Sequence, residues 1–444
     1  MDASPEPSPQ QHETHPRTRL SFQDALSCTL TTMGLAPLKP KQEEAVRAFV
    51  KGKDVFGILP TGYGKSVIYA ILPLLFDFML GCAGSIVVVI TPLIALMVDQ
   101  KKNFAPTGVS VEFVGKAQDD NTAVKRVLKG EVQLVYISPE NILNNRRFRD
   151  MLQKSNYQQR LVAVVVDEAH CVQMWGEKFR KAFFKIGSLR SLVPKSVNVM
   201  ALTATATEQT VATVKRQLAM DDPIMVGLNL DRSNIKYIVK PSITLEEFTT
   251  TIASELISSR VNTPKTVIFC QSLIECAEVF SMVKVKLGHE ISEPPGFEHI
   301  VELRLLTSFT AVSSNEHRES IIDEFSKMDS ILRVVIASSA FGMGVNIPDI
   351  SRVINWGLPP TLEDLVQQTG RAGRNGIPAD AILYSNSSYN STKPIKDYAA
   401  NTGYCRRYLL FKFFLFSKDK QCITGCRCCD LCSSLCGCQQ CNNL

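Results

Sequence analysis

The sequence predicts an α/β chain: two doubly wound parallel-sheet domains followed by a small cysteine-rich module. Three observations carry that prediction. Short unbroken apolar runs alternate with helical stretches through most of the 444 residues, the pattern of parallel strands covered on both faces. Leu59-Pro60-Thr61-Gly62-Tyr63-Gly64-Lys65-Ser66 stands between one such run, 54–59, and a helix-like stretch, 67–78. Of the 14 cysteines, nine fall beyond residue 400. The chain then divides into a polar, Pro-rich disordered arm at 1–17, a first α/β domain at 18–225, a second at 226–392 and the cysteine module at 393–444. Strands are expected at 86–90, 134–138, 161–166 and 197–201 in the first domain, and at 266–269 and 333–337 in the second.

The order of strand, loop and helix around residues 59–66 is that of a phosphate-binding loop. Small residues at Gly62 and Gly64 let backbone N–H groups turn inward on phosphates, with Thr61 and Tyr63 completing the loop. Lys65 is expected to reach the β- and γ-phosphates and Ser66 to ligate Mg²⁺. Leu59 takes the place of the first glycine of the general pattern. The run 161–166 ends in Asp167-Glu168-Ala169-His170, and acidic residues at the carboxyl end of such a strand face a ligand crevice. Asp167 is expected in the Mg²⁺ shell, and Glu168 to orient and deprotonate an attacking water. Further on, Gln367-Gln368-Thr369-Gly370-Arg371-Ala372-Gly373-Arg374 places Arg371 and Arg374 at i and i+3, expected on one helix face. Their guanidinium forks suit the spread charge of a transferring phosphoryl group, as arginine fingers from the second domain.

The cysteines read as a metal site. Disulfides need an oxidising compartment, and residues 1–17 lack the apolar core of a secretory signal. Cys426, Cys429 and Cys432 set three thiolates around one point, and Cys405, on a helix-like 405–416 segment, closes a tetrahedral Zn²⁺ shell. Cys422 or Cys428 can substitute for Cys426, while Cys436, Cys438 and Cys441 form part of a second site or are spare thiols. Four thiolates leave no open position for water, so the expected zinc is structural.

Composition agrees with two sizeable cores: 45% of residues are hydrophobic. The longest apolar candidate, 68–80, is interrupted by Pro73 and Asp77, so a soluble chain without membrane partners is expected. A net charge of +6 fits phosphate-backbone binding without requiring it.

These motifs together resemble superfamily-two helicases, and within them the RecQ family of DNA helicases. The resemblance spans 26–441. It rests on Leu38-Lys39-Pro40-Lys41-Gln42, the Lys65 loop, the stretch from Thr91-Pro92-Leu93 to Asp99-Gln100, Ser138-Pro139-Glu140, Asp167 to Cys171 and the 201–207 run. In the second half it continues through Asp231-Arg232-Ser233-Asn234, 267–270, the Phe341 to Gly344 motif and the arginine motif. It implies two RecA-like domains with ATP in the cleft between them, whose closure and reopening step the protein along one strand of DNA, 3′ to 5′. It also implies that Gln42 reads the adenine edge beside Lys39, and that His170 with Thr203 and Thr205 relays the nucleotide state to the DNA track. Thr91 and Ser138 would grip the DNA backbone, with Thr307-Ser308 a further candidate that no motif supports. Trp175, Phe179, Arg180 and Phe183 would form an aromatic-rich loop that stacks on unpaired bases. The implied partners are single-stranded and forked DNA, and the implied location is the nucleus if the source is eukaryotic.

Departures from the family pattern temper this. Leu35 and Lys39 stand where the family has a tyrosine and an arginine beside adenine, and lysine lacks the planar stacking fork. Gln173, Met174 and Asn346 also differ from the pattern, and 286–303 reads as a surface loop inserted without readable function. The chain ends soon after its cysteines, which implies a short form without a winged-helix domain. Three readings follow: a 3′–5′ DNA helicase, a DNA-stimulated translocase with weak unwinding, and a nucleic-acid clamp that no longer hydrolyses ATP.

Overall fold

The computed structural model describes residues 19–92, 94–115, 118, 120–171, 186–310, 312–338, 341, 347–386, 390–417 and 425–437. Trp175, Phe179, Arg180 and Phe183, the departures at Gln173, Met174 and Asn346, and Cys422, Cys438 and Cys441 lie outside the described residues.

Two sheets form. The first contains β1 (Val55–Ile58), β2 (Ile86–Ile90), β3 (Val111–Val114), β4 (Leu134–Ile137), β5 (Leu161–Val166), β6 (Asn198–Thr203) and β7 (Ile224–Gly227), in the order β3-β4-β2-β5-β6-β1-β7. The second contains β8 (Ile235–Lys240), β9 (Thr266–Cys270), β10 (Leu306–Phe309), β11 (Val334–Ala337), β12 (Arg352–Trp356) and β13 (Ala379–Tyr384), in the order β10-β11-β9-β12-β13-β8. Its strands pair in parallel, and Val267 of β9 faces Val335 on one side and Val353 on the other. Every residue of β2, β4 and β9 is buried, which is why these strands read as unbroken apolar runs. The core of the second sheet is aromatic: Phe248 stacks on Trp356 at 4.1 Å between ring centres and meets Tyr384 edge-on at 5.2 Å.

Strand direction puts these candidate site residues at one end of the first sheet. Residues 59–66, Thr91, Ser138 and 167–170 all follow the carboxyl ends of strands, where a parallel sheet opens its ligand crevice. By packing the chain divides into two compact units. The first takes in the described residues of Met1–Val55, Ser66–Val166 and Lys181–Met200, and the second those of Phe56–Lys65, Asp167–Arg180 and Ala201–Leu444. The phosphate loop up to Lys65, the acidic stretch and the whole second sheet therefore belong to one unit.

Two local expectations are corrected. The helix-like 67–78 stretch is two helices, Lys65–Ala70 and Leu72–Leu80, because Pro73 has no N–H to carry the ladder through. The 405–416 segment is helical only over Arg406–Phe411. The insertion at 286–303 lies at the surface over much of its length, as its composition suggests, with Ile291 and Ser292 buried at 1% and 0% exposure and Arg260 donating to the Glu290 carbonyl at 2.7 Å and to Glu293 Oε2 at 2.9 Å. That arginine anchors a stretch whose Pro and Gly content reads as loop. Among the described residues no helix is long and apolar enough to cross a membrane.

Candidate nucleotide site and metal centre

The phosphate loop grows directly out of β1. Leu59 is fully buried and its N–H donates to the Thr203 carbonyl at 3.0 Å, so a leucine fits where the pattern has glycine. The turn that follows is closed by Tyr63 N–H on the Pro60 carbonyl at 3.0 Å, with Gly62 at φ +83° and Gly64 at φ +89°. Those angles lie in the left-handed region that a Cβ disfavours, and they aim successive N–H groups inward. Lys65 opens the helix Lys65–Ala70 and its Nζ donates to the Leu59 carbonyl at 3.3 Å, folding the ammonium back over the loop. Thr61 and Ser66 are half-buried beside it.

At the end of β5, Asp167 is 5% exposed and its Oδ1 accepts from Glu168 N–H at 2.9 Å. Glu168 has φ +50°, a strained setting for a side-chain-bearing residue and one found preferentially at functional sites. His170 is 2% exposed, with Nδ1 2.8 Å from Thr203 Oγ1 and 3.4 Å from Glu168 Oε2. The Thr203 hydroxyl donates to the Thr205 carbonyl at 2.9 Å, so toward His170 it accepts, which puts the imidazole proton on Nδ1. Nε2 then accepts from the Cys171 thiol at 3.6 Å. That thiol keeps its proton, since burial and, after it, the nearby Glu168 push it well above the ordinary range. One chain of contacts thus joins Glu168, His170, Thr203 and Thr205.

Gln42 is buried and its Oε1 accepts from Lys39 N–H at 2.7 Å, capping the helix Pro40–Val50. The cap fixes which way the amide points. Of the backbone-grip candidates, Thr91 is 1% exposed, and Ser138 caps the helix Pro139–Asn144 by accepting from Asn141 N–H at 3.3 Å. Thr307 is buried in β10, in register with Val335, and Ser308 beside it is half-buried.

Arg371 and Arg374 do not share a helix face. The helix Leu362–Thr369 stops before them because Gly370 leaves it and Gly373 takes φ +54°, and both arginines sit in the turns beyond. Arg371 is 1% exposed, and burial, then Arg374, push its guanidinium down to about 9 against the opposing pull of Glu168. Burial and then Arg232 push Arg374 down to about 10. Two confined like charges make this turn a place where an anion is welcome.

The cysteine centre gathers Cys405, Cys428, Cys429 and Cys432, with their sulfurs all within 4.8 Å of one another. Cys428 takes the place expected of Cys426. Its N–H closes a turn on the Gly425 carbonyl at 3.0 Å, with Gly425 at φ +101°, and this sets Cys428 fully buried with its Sγ 3.5 Å from that of Cys405. Zinc–sulfur bonds of about 2.3 Å place tetrahedral thiolates about 3.8 Å apart, so the donor set fits Zn²⁺ closely. Cys429 Sγ also accepts from Cys432 N–H at 3.3 Å, which orients that sulfur toward the centre.

Sequence reasoning assigned no role to two arginines that organise the second half. Arg232, quoted only as part of a motif, donates to the Gly370 carbonyl at 2.8 Å and to the Gly373 carbonyl. Arg407 is 1% exposed and binds the Asp231 carboxylate, with no local pattern to announce it.

A family model described as DEAD/DEAH box helicase matches residues 39–214, and one described as helicase conserved C-terminal domain matches residues 249–376. An ATP-dependent DNA helicase RecQ of Haemophilus influenzae is 28% identical over 433 residues, which is 92% of this chain and 63% of that protein. ATP-dependent DNA helicase Q1 of Rattus norvegicus is 30% identical over 86% of this chain and 60% of its own length. The chain thus spans about three fifths of the length of these relatives. Among solved structures, the DUF1998 helicase MrfA bound to DNA matches with a TM-score of 0.65 at 16% identity, over 84% of this chain and 52% of its own. The DEAD-box helicase Mss116 bound to ssRNA and UDP-BeF matches with a TM-score of 0.63 at 14% identity, over 89% and 85%. These two likenesses are of fold.

Proposed function

Because the chain belongs to the RecQ family of superfamily-two helicases, we propose that it hydrolyses ATP to travel 3′ to 5′ along single-stranded DNA and to part the duplex ahead. The observation that carries this reading is the contact chain from Glu168 through His170 to Thr203, which ties a hydrolytic carboxylate to the 201–207 run at the end of β6. In this reading the loop amides at Gly62 and Gly64 and the Lys65 ammonium hold the β- and γ-phosphates. Ser66 and Asp167 would hold Mg²⁺, which would supply charge neutralisation. Glu168 takes a proton from water as its oxygen bonds to the γ-phosphorus and the bond to the bridging oxygen breaks, leaving ADP and phosphate. Arg371 and Arg374 stabilise the charge that spreads over the transferring group, and Gln42 with Lys39 selects adenine. Loss of the γ-phosphate alters what Glu168 holds, and His170 carries that change to Thr203 and Thr205. The cysteine centre holds zinc for structure. Single-stranded and forked DNA are the partners, and in a eukaryotic cell the work lies in the nucleus, in repair or recombination.

The test is strand displacement with ATP and Mg²⁺ on duplexes bearing a single-stranded tail at one end. Release from 3′-tailed and not 5′-tailed substrates is expected. Release from 5′ tails alone overturns the polarity, and ATP hydrolysis without release from either makes the protein a translocase.

A further inference from the structure

The turn that carries Arg371 and Arg374 is tied down from elsewhere in the chain. After the helix Leu362–Thr369 ends, the Gly370 and Gly373 carbonyls leave the helical ladder, and Arg232 reaches both, Nη1 to Gly370 at 2.8 Å and Nη2 to Gly373. A guanidinium offers these donors in a rigid fork, so one side chain fixes the spacing of two carbonyls three residues apart. Asn234 Nδ2 adds a bond to the Gly373 carbonyl at 2.8 Å and one to Ile377 at 2.7 Å, and Gly373 N–H donates to the Ile350 carbonyl at 2.7 Å.

Arg232 is itself held. Arg407, on the helix Arg406–Phe411 that starts beside Cys405, donates through Nη1 to the Arg232 carbonyl at 3.0 Å and to Asp231 Oδ1. Its Nη2 donates to the Ile235 carbonyl and approaches the Cys428 carbonyl at 3.5 Å, and its guanidinium lies 5.1 Å from the Tyr237 ring centre. The Cys428 carbonyl also accepts from Tyr237 N–H at 3.4 Å. A continuous path therefore runs from the cysteine centre through Arg407 to Asp231 and Arg232, and from Arg232 to both carbonyls flanking Arg371.

We propose that Arg232 is a positioning residue for the Arg371 and Arg374 pair, and that Arg407 makes that positioning depend on the metal-loaded cysteine centre. This rests on the reading of Arg371 and Arg374 as groups acting on the transferring phosphoryl. It assigns the cysteine centre an effect on the arginine turn beyond holding its own module together.

The experiment uses the full zinc-loaded chain and two variants, Arg232→Lys and Arg407→Lys, which keep the charge and remove the fork. DNA-stimulated kcat is expected to fall about 10–100-fold while KM for ATP moves less than about threefold, the signature of misplaced transition-state groups. Amide hydrogen exchange over 370–376 is expected to quicken about tenfold in both variants, with 59–66 unchanged. Zinc removal by a chelator should quicken exchange over 370–376 in the parent chain and add little in Arg407→Lys, because both act through one link. Unchanged kcat and exchange in Arg232→Lys overturn the proposal, as does a fall in melting temperature with kcat intact, which would make Arg232 a staple. If Arg232→Lys does not fold, Asn234→Ser, which removes one donor to Gly373, is read the same way with about a threefold to tenfold effect. A parent chain without ATP hydrolysis refutes the proposed function, whereas the exchange data still decide whether the link exists.

Discussion

The phosphate loop is shaped by nearby residues, through Gly62 and Gly64 in left-handed conformations, a turn from Tyr63 to Pro60 and a lysine folded onto a carbonyl six residues back, with Leu59 at its start bonded to Thr203. The arginine turn is held by side chains from far away, since Arg232 bonds to Gly370 and Gly373 across 138 and 141 residues. A turn closed by a nearby bond is expected to tolerate change around it, and the bond from Tyr63 to Pro60 forms with Leu59 in place of a glycine. A turn built by distant donors inherits every disturbance of them. The two regions should therefore fail differently when altered.

The largest effect is expected at the local site. Lys65→Ala should lower ATP turnover at least about 1000-fold while single-strand binding stays within about threefold, because the lysine meets the charge of the transferring phosphates directly. Turnover that survives this change would break the comparison at its first member. Next comes Cys429→Ser, expected to release zinc, seen by metal analysis, and to lower folded yield, because the four-sulfur set loses one of its donors. A third test contrasts two left-handed glycines. At Gly373 a Cβ would stand 2.4 Å from Asn234 Nδ2 and 2.7 Å from the Ile377 carbonyl, whereas at Gly108, φ +83°, it meets nothing within 4 Å. Gly108→Ala should cost about 1 kcal/mol in unfolding free energy from backbone strain alone, and Gly373→Ala about 2–4 kcal/mol, measured by denaturant titration. Equal costs would mean that the distant donors do not crowd the turn. The smallest effect belongs to the relay: Thr203→Val removes the hydroxyl beside His170 and should reduce DNA stimulation about threefold to tenfold, with basal hydrolysis little changed.

The same division explains what could be read from the sequence. Strands Ile86–Ile90 and Leu161–Val166 stand where their apolar runs place them, because burial on both faces leaves no alternation to misread. The loop at 59–66 and the acidic stretch after Val166 are contiguous, so spacing reveals them. The arginine pair is contiguous too, yet its i, i+3 spacing suggests a helix that Gly370 and Gly373 end. The choice of Cys428 over Cys426 depends on a turn at Gly425 and on Tyr237 pairing with the Cys428 carbonyl, neither of which a C-x-x-C pattern contains. Arg407 has no motif, because its partners Asp231, Arg232, Ile235 and Cys428 are assembled only by folding. The bonds that anchor Glu290 and Glu293 of the insertion come likewise from one arginine at position 260 that no composition rule selects.

The most direct test of the account is ATP hydrolysis by the purified, zinc-loaded chain with Mg²⁺, measured with and without single-stranded DNA or RNA and beside Glu168→Gln. Strong stimulation by DNA that Glu168→Gln abolishes is the predicted result. Absence of hydrolysis under every condition in a folded sample would contradict it and leave a nucleic-acid-binding protein without a motor.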